Sequence, residues 1–310
     1  MKEFDVKCRA CQGKRVQWLF FSQNVHGRHL LGREQFGIYE CADCKIVFTD
    51  VTADKDYYEK YYFKSYYSDA YSRGLFGKLL LMLKNIVFRR RLKLIKKYQP
   101  QAKNILEIGC GQGEFLRYLP AKFNKYGVEI NKSACDYIKK HDNGIVLYND
   151  NIDDKFQNRG EKYDVILMWH VFEHVANPEN FIKNISNFLA KDGVIILEIP
   201  NRESIGFNLT KSDWFHLDTP RHLFIYSRIC LERFTEKYGL KIIGYRGEPV
   251  DYFQDLAASF YAKFKTNNHI LNCSLFIFVL PIAAILRLLV SLLMFKKAEV
   301  NTYVLKQYNV

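Results

Sequence analysis

Short apolar runs separated by polar, helix-period segments organise the chain from residue 104 onward. The runs within Asn104–Ile108, Lys125–Ile130, Gly144–Tyr148, Tyr163–Met168 and Gly193–Ile199 have the length and continuity of strands buried on both faces. The spacers between the first three predict helices, one from the glycine cluster after Ile108 through about Lys122 and one through about His141. Leu240–Arg246 and Val300–Gln307 read as two further strands, seven in all. Strands and helices alternating at this spacing predict an α/β fold with a largely parallel sheet and helices on both faces.

The first strand ends in Gly109-Cys110-Gly111-Gln112-Gly113. Glycines at a strand-to-helix turn let the backbone bend sharply and let a ligand lie against the main chain. On glycines alone a dinucleotide site is the alternative. Glu107, two residues before the turn, favours a cationic amino-acid group and would repel a pyrophosphate. Glu129 closes the second strand, where a carboxylate takes ribose hydroxyls. With these residues the chain resembles the class I S-adenosylmethionine-dependent methyltransferases. Ile105–Gly113 looks like their first motif and Glu129 like their ribose-binding acid. The resemblance implies a Rossmann-like seven-stranded sheet whose last strand inserts antiparallel beside the sixth. It implies a cofactor site of Glu107, Gly109, Cys110, Gly111, Gly113, Glu129, Ile130, Trp169 and His170. Asp150 and Ile152, after the third strand, are its adenine-side candidates.

The segment after the fourth strand, Met168-Trp169-His170-Val171-Phe172-Glu173-His174-Val175, resembles the family's "HVLEHV" stretch. Loops at the carboxyl ends of strands face the ligand in such sheets. The Asn/Asp-Pro-Pro-aromatic signature of amino-group nucleic-acid methylases is missing there, which counts against DNA N-methylation. Methyl transfer to a hydroxyl calls for alignment and a base, and imidazole titrates in the right range. His170, His174 and His222 are the catalytic candidates. His222 sits in an insertion with Trp214, His216, Pro220 and Arg221 that resembles the family's substrate loop. A divalent metal bound by His170, Glu173 and His174 is the alternative use of that cluster.

The N-terminal fifty residues add different chemistry. Cys8-x-x-Cys11 and Cys41-x-x-Cys44 are two knuckles able to close a tetrahedral zinc site, with strands at Val16–Phe20 and Gln35–Glu40 between them. Half of the eight cysteines stand in these pairs, which favours a metal in a reducing compartment over a disulfide framework. The arrangement resembles a zinc ribbon with a structural Zn2+. The polar N-terminus carries no signal-peptide pattern. A tyrosine-rich stretch at 56–72 reads as a linker or helical lid over cofactor or substrate. Leu75–Tyr98 reads as a basic amphipathic helix carrying Arg89, Arg90, Arg91, Lys93, Lys96 and Lys97. The expected organisation is a ribbon at 1–52, a linker or lid at 53–99 and a methyltransferase domain at 100–310.

Leu275–Phe295 is apolar apart from Pro281, Arg287 and Ser291. Its length suits a membrane span. With strands six and seven in one sheet, both ends of this insertion (256–297) return to the same side, so a single crossing is excluded. A re-entrant or shallow helical hairpin turning near Pro281 is expected, or burial against a second subunit. The formal charge of +13 implies attraction to anionic surfaces, with membrane headgroups, nucleic acid and anionic metabolites all qualifying; beside the apolar insertion, the membrane is favoured. The expected protein is a cytoplasmic enzyme, monotopic on the inner membrane face, methylating a hydroxyl of a small-molecule or lipid-linked acceptor. An RNA methyltransferase and a non-catalytic cofactor-binding partner are the rivals. The apolar tail counts against the nucleic-acid reading.

Overall fold

A computed structural model of the protein describes residues 6–23, 34–54, 57, 60, 61, 75–149, 160–249, 254–266 and 269–308. The chain opens with strands β1 (Val16–Gln23), β2 (Gln35–Cys41) and β3 (Val47–Thr49), followed by helix α1 (Leu75–Tyr98). The alternating part runs β4 (Asn104–Ile108), α2 (Glu114–Tyr118), β5 (Asn124–Val128), α3 (Lys132–His141), β6 (Ile145–Tyr148), β7 (Tyr163–Trp169), α4 (Pro178–Ser186) and β8 (Leu189–Pro200). Then come α5 (Ile205–Thr210), the short β9 (Phe224–Ile225), α6 (Arg228–Glu236), β10 (Leu240–Gly247), α7 (Asp255–Phe264), α8 (His269–Leu293) and β11 (Val300–Gln307).

Seven strands form one sheet in the order β10-β11-β8-β7-β4-β5-β6. The central pairs are parallel, and β11 runs antiparallel between β8 and β10, as expected. Side-chain alternation along each strand divides the core. Leu106, Ile108, Ile166, Met168, Ile195 and Leu197 pack on one face. Ile105, Val165, Leu167, Val194 and Ile196 pack on the other, covered by Phe88, Leu94 and Ile95 of α1. Asn131 caps α3 by accepting the Ala134 N–H at 3.1 Å, and Asn177 with Pro178 starts α4.

Three expectations are corrected. The helix after the glycine turn stops at Tyr118, short of Lys122, because Pro120 forces Leu119 into an extended conformation (ψ 139°). The fifth strand begins at Leu189, four residues before Gly193. No hairpin forms at Pro281. It lies within the continuous helix α8, which packs on α7 through Ala283 and Val279 against Leu256, Ala257 and Phe260. Among the described residues no helix is long and apolar enough to cross a membrane.

The N-terminal strands form a second sheet, β1-β2-β3-β9. Its last member comes from the segment after β8, with Val47 paired to Ile225 and Phe48 to Phe224. This pairing brings the cysteine-bearing sheet against the segment that carries His222.

Candidate active site

The carboxyl ends of β4, β5, β7 and β8 converge on one edge of the sheet, where open α/β sheets bind ligands. Gly109, Gly111 and Gly113 all adopt positive φ (68°, 54° and 73°). A Cβ at Gly109 would stand 2.6 Å from the Val171 side chain, so the tight turn beneath the site requires glycine there. The Gly109 and Cys110 N–H groups donate to the Val128 carbonyl, joining the turn to the end of β5. Glu129 then clamps it: one carboxylate oxygen accepts the Gly111 N–H and the other the Asn131 N–H, each at 2.8 Å. Asn149, just after β6, donates to the Glu129 carbonyl at 2.9 Å. Ile130 is largely exposed beside it and Cys110 is buried.

Glu107 is buried, and its Oε2 has no hydrogen-bond partner among the described residues. Burial pushes its carboxyl up to about 8; Arg91 pulls against this, and the Glu129 and Glu114 charges reinforce it. An unpaired buried oxygen in this position suits a ligand cation. The glycine turn and the two acids therefore fit the amino-acid and ribose parts of S-adenosylmethionine. Asp150 and Ile152 lie outside the described residues.

Beyond β7 the chain turns at His170 (φ 55°) into a 3-10 turn, Phe172–His174. His170 lies between two buried carboxylates, Nδ1 3.3 Å from Glu173 and Nε2 3.6 Å from Glu198. Burial pulls this imidazole down, yet the two carboxylates outweigh it and lift the pKa to about 10. Glu198 also binds Arg91 at 2.7 Å, and Arg91 lies 4.2 Å over the Trp169 ring. Arg91 is thus drawn from the basic face of α1 into the core, as Arg90 is toward Glu248.

The segment between β8 and α6 closes the other side. His222 is buried and its Nδ1–H donates to the His216 carbonyl at 2.6 Å, which leaves Nε2 as the acceptor nitrogen. That Nε2 is 3.9 Å from both Glu173 Oε1 and Asp218 Oδ2. Burial first, and then the charge of nearby His174, push the His222 pKa down to about 3. His174 donates its Nδ1–H to the Arg221 carbonyl and meets the His222 ring edge-on at 4.6 Å. Glu173, His174 and His222 each offer a ligand atom within 4.8 Å of the others, so this group has the donor set for a metal ion. Tyr57, from the tyrosine-rich stretch, donates to the Pro220 carbonyl at 3.1 Å.

All three catalytic candidates therefore meet around one carboxylate, Glu173. Three participants escaped sequence reasoning: Arg91, Glu198 and Asp218. Glu198 had a legible signal, since Ile196-Leu197-Glu198-Ile199-Pro200 repeats the pattern of Ile105-Leu106-Glu107-Ile108-Gly109. Arg91 was hidden in a basic run.

The four N-terminal cysteines gather as expected. Cys8 and Cys44 sulfurs are 3.6 Å apart, as are those of Cys11 and Cys41. Tetrahedral bonds of ~2.3 Å to one Zn2+ place sulfurs ~3.8 Å apart. The turns after Cys11 and Cys44 match, with Gln12 and Lys45 at φ 61° and 63°.

A family profile described as "Methyltransferase domain" matches residues 83–244. The chain is 31% identical over 124 residues to the probable (S)-tetrahydroprotoberberine N-methyltransferase 2 of Papaver bracteatum, across 36% of this chain and 34% of that one. It is 30% identical over 109 residues to the ubiquinone biosynthesis O-methyltransferase of Actinobacillus pleuropneumoniae serotype 7, across 32% and 47%. These matches span about a third to a half of the relatives' length. Among solved structures, a putative sarcosine dimethylglycine methyltransferase from Galdieria sulphuraria aligns at 13% identity with a TM-score of 0.49, covering 74% of this chain and 87% of that one. With the matched region spanning more than half of its residues, the chain belongs to the methyltransferase-domain family.

Proposed function

We propose that this protein transfers a methyl group from S-adenosylmethionine to a hydroxyl of a lipid, isoprenoid or lipid-linked sugar, met at an anionic membrane surface on the cytoplasmic side. One relationship carries this reading. The histidine cluster borders the glycine turn on one side and is tied on the other, through Asp255 and Arg287, to helix α8. The outer face of α8 is apolar and open: Phe278, Ile282, Ile285, Leu292 and Leu293 are all more than half exposed. Lys296 and Lys297 follow at its end. Apolar side chains beside lysines are the pattern of an interfacial helix, and an amphiphilic acceptor partitions where such a helix docks.

When bound, S-adenosylmethionine supplies an electrophilic sulfonium methyl. Gly109, Cys110, Gly111 and Gly113 would lie along the cofactor, with Glu107 toward its ammonium and Glu129 toward the ribose. Trp169, His170, Ile130, Asp150 and Ile152 complete the expected contacts. His222 is the proton acceptor in this reading. Its ring is neutral at physiological pH, and Nε2 takes the hydroxyl proton as the oxygen becomes strongly acidic on methylation, with the Glu173 and Asp218 carboxylates offsetting part of the burial cost of the imidazolium. His174 flanks it, and the His170 imidazolium compensates Glu173. Cys8, Cys11, Cys41 and Cys44 would hold a structural Zn2+ that braces the N-terminal sheet, which pairs with this segment through β3 and β9.

The test uses purified protein, membranes and radiolabelled S-adenosylmethionine, followed by organic extraction. Label in the organic phase that disappears with Gly111→Arg is the expected result. Label confined to nuclease-sensitive or protein material would overturn the acceptor class.

A further inference from the structure

Arg287 is the single charged residue within the apolar stretch Leu275–Phe295, and its side chain is only 1% exposed. It does not face lipid. Ala283, Arg287, Val290 and Ser291 are all buried and fall on one helical face, while Ile282, Ile285, Leu289 and Leu293 point outward. Arg287 Nε donates to Asp255 Oδ1 at 2.6 Å, where α7 begins. The other Asp255 oxygen accepts the His216 Nε2–H at 2.8 Å. The His216 carbonyl accepts from His222 Nδ1, and the His216 ring lies parallel to His170, 6.2 Å away. A parallel tie fixes the same loop, since the Phe215 N–H donates to Ser259 Oγ, which in turn donates to the Asp255 carbonyl.

We infer that Arg287 is a positioning residue through which the α7–α8 layer sets the tautomer and orientation of His222. By neutralising Asp255, Arg287 holds it as an ionised acceptor in the core. Asp255 fixes the His216 ring and with it the loop whose carbonyl selects the Nδ1–H form of His222. The groups facing His222 are Glu173, Asp218 and His174. Those facing His216 are Asp255 and His170, with the Arg287 charge behind Asp255. The inference rests on the proposed acceptor-side role of His222 only for its effect on turnover; the tautomer claim stands apart from it.

The test compares wild type, Arg287→Lys, Arg287→Met and the double variant Arg287→Met/Asp255→Asn. Arg287→Met strands a buried carboxylate and so tests folding, whereas the double variant removes both charges together. Long-range 15N correlation spectra of labelled imidazoles read the His222 tautomer directly. Wild type and Arg287→Lys should show the Nδ1–H form, and the folded double variant a mixture. In that variant the S-adenosylmethionine Kd should stay within about twofold, because the glycine turn is untouched, while kcat falls at least about tenfold with little change in KM. An unchanged His222 spectrum in the folded double variant would overturn the inference, whatever the activity. Absence of organic-phase label in the wild type with a shifted spectrum would overturn the proposed acceptor and leave the inference standing.

Discussion

His170 Nδ1 stands 3.3 Å from Glu173 Oε1, and Glu173 is fully buried. A carboxylate in such a place is stable only with a positive neighbour. His170 supplies it, which explains why this imidazole stays protonated far above its usual range. Removing His170 strands the charge, so His170→Ala should cost about 3 kcal/mol or more of stability. The sign in pH follows from the raised pKa. The stabilisation is complete below pH 6.5 and is lost as pH rises toward 10. Denaturant midpoints between these values should fall more steeply in wild type than in His170→Gln.

In the proposed cofactor site, Glu107 should make S-adenosylmethionine binding pH-dependent. With its carboxyl raised to about 8, the group is largely protonated at pH 6.5, and an ammonium beside it favours ionisation. Binding should release a proton, and affinity should tighten between about pH 6 and 8 by at most about tenfold per unit. Calorimetry in buffers of different ionisation enthalpy measures the release. Glu107→Gln should abolish it.

With Zn2+ on the four cysteines, as proposed, metal removal should act beyond the N-terminal sheet. Thr49, in β3, donates its hydroxyl to the His222 carbonyl at 2.8 Å, and its N–H donates to the Leu223 carbonyl. A four-thiolate zinc site contributes on the order of 10 kcal/mol to a fold this small. Cys41→Ser should therefore release the metal, measured by elemental analysis, and expose the sheet to protease. Cofactor affinity should persist while methyl transfer is lost.

Membrane docking is testable on α8 itself. Replacing Ile282, Ile285, Leu289 and Leu293 with serine removes exposed apolar area without touching the Arg287–Asp255 pair. Flotation with anionic liposomes should drop several-fold, with thermal stability within a few degrees of wild type. Equal flotation would place the contact elsewhere. Tighter retention on heparin than on liposomes would favour the RNA reading.

Much of the architecture was legible because buried parallel strands announce themselves as apolar runs. Asn104–Ile108 and Val300–Gln307 lie where the pattern placed them, and Tyr163–Trp169 runs one residue past the expected Met168. Glycines at positive φ and the acids at the two strand ends were equally readable, since backbone sterics and charge act locally. The paired cysteines belong with them, as each knuckle is a local turn.

Tertiary structure alone decided which partner each buried charge would meet. Periodicity says that a residue faces inward, and contact with a distant element says what it faces. Arg91 read as part of a basic surface until Glu198, 107 positions away, drew it in. Arg287 read as a polar break in a membrane-seeking helix until Asp255 proved to be its counter-ion. The three histidines were recognisable as chemistry from the sequence. Their division of labour came from burial and neighbouring charge: His170 is held as an imidazolium by Glu173 and Glu198, and His222 is kept neutral by burial. Both depend on elements that only the folded sheet brings together.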